Sequence, residues 1–397
     1  MRTLIAFLLV VVLAAVATIG CDGGGKATPT PTGIATGVAT RTPLPTGVPA
    51  EGPQLLYKEF GSEADVIWLA AAAAPQSPAK VAEVAHASGE GISASLSPDG
   101  KRIAYLALAA AGGDSTQDAQ AWLLDMDGAK PRLLASGLDG GSKLIWSPDG
   151  RSIVARRNGP QAQFGQAVSL LKVNVSDGSE TPLMQADDVL ELFPMGYSPD
   201  GASLYFTQTT LKGTYFGVVA ATGGTPRLLV KASDQWARDW HLSPDGTRVV
   251  FLAGQPTDDR IASRAFVAEL VEGAEPQPLS DFAGTLDAGD HFNPVWRPDG
   301  QRIAVGQTPV DGSSAAALVS LTGGKLEEAT PGPDQGFDVP MGWSPAGDYL
   351  AVRSFEGSSA VQAGREQLVI IELGKGRQTV GDNGKLEFIG WLASGSQ

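Results

Sequence analysis

Acids set beside aromatic rings, a small number of histidines and one lone cysteine are the residues of this sequence that could do chemistry. Trp236 and Trp240 flank Asp239, His291 and Phe292 follow Asp290, and Phe337 precedes Asp338. A carboxylate supplies charge-assisted hydrogen bonds and a ring face attracts cations, so such pairs suit a cation, a sugar or a basic peptide. Trp236, Asp239, Trp240, Asp290, His291, Phe337 and Asp338 are therefore the candidate ligand-binding residues. Further acids share the same kind of setting: Glu90, Asp139, Asp187, Asp188, Glu191, Asp234, Asp287, Asp334 and Asp382. No catalytic residue is singled out. His86, His241 and His291 lack metal-binding spacing, and there is no G-x-S-x-G elbow, phosphate loop or redox pair. The catalytic alternative is a carbohydrate-active hydrolase or lyase with paired carboxylates, such as Asp239 and Asp290, as acid and base. No cofactor is required by either reading; Ca²⁺ is the one ion such carboxylates would accept.

The cysteine is Cys21, so neither an internal disulfide nor a thiolate metal cluster can form. It closes a leader: Arg2 is a short positive region, and Leu4 to Ile19 is an apolar run too short for an ordinary membrane span but right for a secretory signal. Thr18-Ile19-Gly20-Cys21 resembles the lipobox of bacterial lipoproteins, with Thr18 where that family usually has Leu. The resemblance implies a signal peptide at residues 1–20 and a lipidated Cys21 as the mature N-terminus. Residues 21–53 are rich in Thr, Pro and Gly and have no hydrophobic period, so they read as a disordered tether able to extend roughly 100 Å. Two or more acyl chains anchor a protein stably to a bilayer, which places the chain outside the cytoplasm.

Acidic residues outnumber basic ones by 43 to 29, a formal charge of −14. That balance excludes nucleic acid as a partner, because phosphate binding needs surplus cations.

The elements that must position these residues are visible as a repeat. Ser-Pro-Asp-Gly, each time preceded by a large apolar or aromatic residue, occurs at 97–100, 147–150, 198–201 and 243–246, with variants Arg-Pro-Asp-Gly at 297–300 and Ser-Pro-Ala-Gly at 344–347. Proline presets φ for a type I turn, aspartate bonds back to the chain, and glycine accepts the left-handed conformation that closes a hairpin. Each turn precedes an apolar strand such as Arg102-Ile103-Ala104-Tyr105-Leu106, then a third strand, a Gly-containing turn and a fourth strand. Self-similarity at this period, four short strands at a time, predicts an all-β fold, a seven-bladed β-propeller over residues 54–397, with six blades as the alternative. The N-terminal segment supplies three strands of one blade and Leu386 to Trp391 the fourth, which closes the ring and removes exposed sheet edges. The aromatic residues before the turns (Trp146, Tyr197, Trp296, Trp343, Trp391) recur in register and are assigned to packing between blades.

The run of turn, strand and Pro-Arg-Leu-Leu resembles the WD-repeat-like propellers of TolB proteins and prolyl oligopeptidases. The extra N-terminal α/β domain of TolB proteins is replaced here by a tether, and no residues remain for an appended hydrolase domain. The expectation is a membrane-anchored extracytoplasmic lipoprotein that acts as a non-catalytic binding or scaffolding module for an envelope protein, cationic peptide or glycan.

Overall fold

The computed structural model describes residues 52–393, apart from 109–117, 128–129, 159–166, 188, 258–260, 280–288, 309–315, 321–325, 329–331 and 360. The leader, Cys21, the tether, Asp188 and Asp287 lie outside the described residues.

Each repeated turn is built by its own side chains. Ser97 Oγ donates to Asp99 Oδ1 at 2.6 Å, and the same oxygen accepts the Lys101 N–H at 3.1 Å. Ser97 Oγ in turn accepts the Arg102 N–H at 2.9 Å, while Gly100, at φ 70°, donates its N–H to Ser97 O at 2.9 Å. The bonds recur around Ser147, Ser198 and Ser243. In the last variant, where Ala346 replaces the acid, Ser344 Oγ turns to Asp348 Oδ1 at 2.6 Å instead. A tight turn fixes strand register, and the flanking strands pair antiparallel throughout.

The described strands fall into seven four-stranded sheets and no α-helix. Blade one joins Gln54–Glu59, Ala64–Ala71 and Ala79–Ala85 to the C-terminal strand Leu386–Leu392. The other blades follow in chain order. Their first strands are Ile92–Leu96, Ile145–Trp146, Glu191–Tyr197, Ala237–Leu242, His291–Trp296 and Phe337–Trp343. Each first strand contacts the next, and Leu386–Leu392 contacts both Phe337–Trp343 and Ile92–Leu96, so these strands form a closed inner ring. The C-terminal strand pairs with Gln54–Glu59 as expected, Leu55 opposite Trp391. The molecule is a β-propeller.

The core lies between the faces of neighbouring blades. Leu56 and Ile67 of blade one pack with Ile103 and Tyr105 of blade two. At the closing seam Leu55, Tyr57 and Ala70 pack with Ala351, Leu368 and Ile370 of blade seven. The recurring aromatics stitch these faces. Trp146 Nε1 donates to Ser95 O at 3.2 Å, Trp296 Nε1 to His241 O at 3.0 Å, and Trp391 Nε1 to Gly342 O at 3.0 Å, each reaching one blade back. Arg102 lies over the Trp146 ring and Arg248 over the Trp296 ring, at 5.4 and 4.8 Å. The same guanidinium groups donate to Gly150 O and Gly300 O in the next blade's turn.

Candidate functional site

Strand direction separates the two ends of the propeller. The repeated turns all lie at one end. The connections between blades, and those between second and third strands, lie at the other, where the sequence differs from blade to blade. Bulges interrupt the inner-strand pairing in five blades, among them the segments between Arg238 and His241 and between Phe292 and Val295. They carry the two non-glycine residues with positive φ among the described residues, Asp239 at 50° and Asn293 at 32°. A bulge re-aims side chains, and His241 Nε2 meets Asn293 Oδ1 across the blade boundary at 3.2 Å.

The sequence candidates divide into an outer and an inner group. Asp239 is exposed and lies 3.8 Å from Arg238, whose guanidinium stacks over the Trp236 ring at 4.8 Å. Trp240 is half-buried against Phe193, ring centroids 6.0 Å apart. Asp290 is half-buried and accepts the Ser263 N–H at Oδ1, 2.9 Å.

The inner group, expected from the sequence to bind a ligand, is turned into the fold instead. Asp338 is fully buried, and both its oxygens accept from Arg377 at 3.0 Å, a bidentate pair that Arg377 extends to Ser354 Oγ at 2.9 Å. Burial pushes the Asp338 carboxyl above the usual range, against the pull of Arg377. His291 is buried as well. Its Nδ1 accepts the Ala265 N–H at 3.1 Å, and burial, then Arg264, lowers its pKa to about 4, so the ring is neutral near pH 7. Phe337 is stacked between Phe292 and Phe355, centroids 5.4 and 5.2 Å away. These three side chains face the interior because blade packing needs apolar faces and a paired charge; proximity to an acid in sequence does not reveal which way a strand residue points.

Many of the remaining acids are also paired. Asp139 holds Arg156 at 3.2 Å and Asn158 at 2.6 Å, Lys231 holds Asp234, and Arg365 holds Asp382. Among the described residues, no group of three or more His, Cys, Asp or Glu is placed to hold a metal ion.

A site that the sequence reading missed lies where the ring closes. Lys58, buried, donates to Asp65 Oδ2 at 3.1 Å and to Ile92 O at 2.6 Å, and its ammonium forms an ion pair with Glu387 Oε2 at 3.0 Å. Asp65 is fully buried and also accepts from Ile92 N–H, Gly61 N–H and His86 Nε2. Burial raises the Asp65 pKa, but the N–H groups and the Lys58 ammonium outweigh it and hold the carboxyl below its usual range. Above this cluster opens a pocket of about 260 Å³ between blades one and two. Its one sequence signal is a lysine inside an apolar strand, Gln54-Leu55-Leu56-Tyr57-Lys58.

The fold and these sites define the class as a β-propeller. No family model matches the chain, and no curated protein matches it. Solved structures do. A prolyl endopeptidase matches at 14% identity with a TM-score of 0.57, over 84% of this chain and 48% of that one. An oligogalacturonate lyase in complex with manganese matches at 12% identity with a TM-score of 0.55, over 85% and 96%. TolB from Acinetobacter baumannii matches at 19% identity with a TM-score of 0.47, over 73% and 66%. The chain thus spans about half of that endopeptidase and 66% of that TolB. At these identities the likeness shows the fold, and a fold hosts many functions.

Proposed function

We propose that this chain is an extracytoplasmic binding or scaffolding module, held at a membrane by lipid on Cys21, that takes an envelope protein, peptide or glycan at the variable end of its propeller. The observation that carries the reading is the use already made of the groups that catalysis would need. Asp338 is consumed by Arg377, the Asp290 Oδ1 caps the Ser263 N–H, and His291 Nδ1 accepts from Ala265. A pair of carboxylates poised as acid and base needs free oxygens facing one substrate. What the variable end offers in the open is Trp236 under Arg238, Asp239 and part of Trp240, a polar and aromatic surface of the kind that binds rather than reacts.

The test is crosslinking with mass spectrometry in the host cell, on the wild type, on Cys21→Ser and on the double variant Trp236→Ala/Asp239→Asn. The expected result is a reproducible envelope partner crosslinked to the variable end, lost or reduced in the double variant, with Cys21→Ser released from the membrane fraction. A partner set unchanged in the double variant, or crosslinks confined to the end with the repeated turns, overturns the assignment of the face. Cys21→Ser remaining in the membrane fraction overturns the anchor.

A further inference from the structure

Four asparagines occur in the chain: Asn158 before Gly159, Asn174 before Val175, Asn293 before Pro294 and Asn383 before Gly384. An asparagine side chain loses its amide when the main-chain nitrogen of the next residue attacks the side-chain carbonyl carbon. The attack needs an N–H on that nitrogen, room to approach it and a main chain free to turn. Proline has no N–H, so Asn293 is inert. Val175 donates its N–H to Arg151 O at 3.0 Å, and its branched Cβ crowds the approach. Two Asn-Gly pairs remain, in which the missing Cβ leaves the nitrogen open.

The fold separates these two. Asn158 ends the strand Ser152–Asn158, its main chain is paired opposite Val168, and its side chain is half-buried. Its amide is clamped at both atoms: Nδ2 donates to the buried Asp139 at 2.6 Å, and Oδ1 accepts from Arg156 Nε at 3.1 Å. Asn383 belongs to no strand. Residues 382–385 are all exposed, in the connection from Gly376–Gly381 of blade seven to the closing strand Leu386–Leu392. A Cβ placed on Gly384 would meet nothing within 4 Å. Among the described residues, no hydrogen bond occupies the Gly384 N–H. Asn383 Oδ1 accepts the Lys385 N–H at 3.0 Å, a donor placed where negative charge develops as the carbonyl is attacked.

We infer that Asn383 is a site of spontaneous deamidation, with water as the co-reactant, and that its conversion loosens the ring closure. The Gly384 nitrogen gives its proton to solvent and bonds to Asn383 Cγ, while the Cγ–Nδ2 bond breaks. The amide nitrogen takes up a proton and leaves as ammonia, and a cyclic imide stands in the chain. Water then adds to either imide carbonyl and opens the ring to aspartate or isoaspartate, each ionised at neutral pH. Nothing is oxidised or reduced.

The consequence follows from the partner of the lost group. Asn383 Nδ2 donates to Glu59 Oε1 at 2.8 Å and so ties the connection to blade one. The other oxygen of Glu59 accepts from Trp68 Nε1 at 3.1 Å, so Glu59 cannot turn away without breaking that bond. The product sets a second carboxylate in place of the donor, and like charges this close repel. Isoaspartate also lengthens the main chain by one carbon just before Lys385, whose carbonyl accepts the Phe60 N–H at 2.9 Å.

Peptide mapping of the full-length protein by mass spectrometry, over weeks in warm, mildly alkaline buffer with thermal melts in parallel, tests this. Conversion of amide to acid is expected at Asn383 well ahead of Asn158, with both aspartate and isoaspartate formed. The melting temperature should fall by a few degrees as conversion completes, the size of one lost hydrogen bond to a charged group. Asn383→Gln keeps an amide one carbon farther from the Gly384 nitrogen, so it should neither convert nor lose stability with time. Asn383→Asp carries the product's charge from the start and should melt below the fresh wild type, and Glu59→Gln in that background should restore the melt. Asn383 intact when a synthetic peptide of residues 379–388 has converted, or Asn158 converting as fast as Asn383, overturns the site. Aspartate without isoaspartate overturns the imide route. Conversion with no loss of melting temperature, or Asn383→Asp as stable as the fresh wild type, overturns the effect on the closure.

Discussion

At the scale of single residues, the propeller keeps its buried charges only where partners surround them. Asp338 and Arg377 show the rule most fully, two parallel bonds of 3.0 Å with the carboxylate out of reach of water. Removing one member of such a pair costs more than removing both, since the survivor is a buried charge without a counter-ion. Arg377→Met is accordingly expected to lower stability by about 3 kcal/mol, near the bottom of the range for breaking buried pairs because the arginine side chain is 22% exposed. Asp338→Leu/Arg377→Met should recover most of that loss. Urea unfolding of the two variants checks it, and a double variant as unstable as the single would show that the pair contributes packing rather than charge compensation. The sequence made Asp338 legible as an acid beside an aromatic ring but not as one half of this pair. Arg377 lies 39 residues away in the outermost strand of the same blade, and no local pattern links the two positions.

At the scale of the element, the Ser-Pro-Asp-Gly turn was legible almost atom by atom, because all its bonds are made within six consecutive residues. The inner-strand bulges were not, since a bulge is a mismatch between two strands and has no signature in either one alone. The turn also carries a pH dependence. Asp245 is held down to about 2 by Ser243 Oγ first, then by the Thr247 N–H and hydroxyl. Asp149 and Asp200 are lowered by the matching bonds, and Asp99 is lowered by them against the opposing effect of burial. A carboxylate with a folded pKa below its unfolded value of roughly 3.9 stabilises the fold above that value, and the contribution fades as pH falls through the folded pKa. Melting temperature should therefore be level down to about pH 4 and decline between about pH 4 and 2. Asp245→Asn should be less stable at neutral pH and show a shallower decline. A melting temperature independent of pH across that window would mean that the turn carboxylates are no better solvated folded than unfolded.

At the scale of the whole molecule, everything at the variable end depends on a ring closed by strands from the two extremes of the described chain. The repeat made this readable: three strands precede the first complete four-stranded repeat, one follows the last, and Trp391 falls in register with the other aromatics. The pocket at the closure was beyond the repeat, because it is formed by the residues, Lys58 and Glu387, that the join alone brings together. Deleting residues 385–397 tests what the join is worth. It removes two well-buried leucines, Leu386 and Leu392, three partly buried residues, Phe388, Ile389 and Trp391, and the Trp391 bond to Gly342 O. At about 1.5–3 kcal/mol for each fully buried side chain and less for the others, the loss is on the order of 8 kcal/mol. That is comparable with the whole stability of a typical domain, about 5–15 kcal/mol, and it leaves Gln54–Glu59 as an unpaired edge open to aggregation. The truncated protein should lose its cooperative melt or oligomerise. A synthetic peptide of residues 384–393 added in trans should restore the melt by strand addition. A truncated protein that stays monomeric and melts at the wild-type temperature would show that the inner ring holds without its last strand, and the Lys58 pocket would then have to be sought in an open form of the fold.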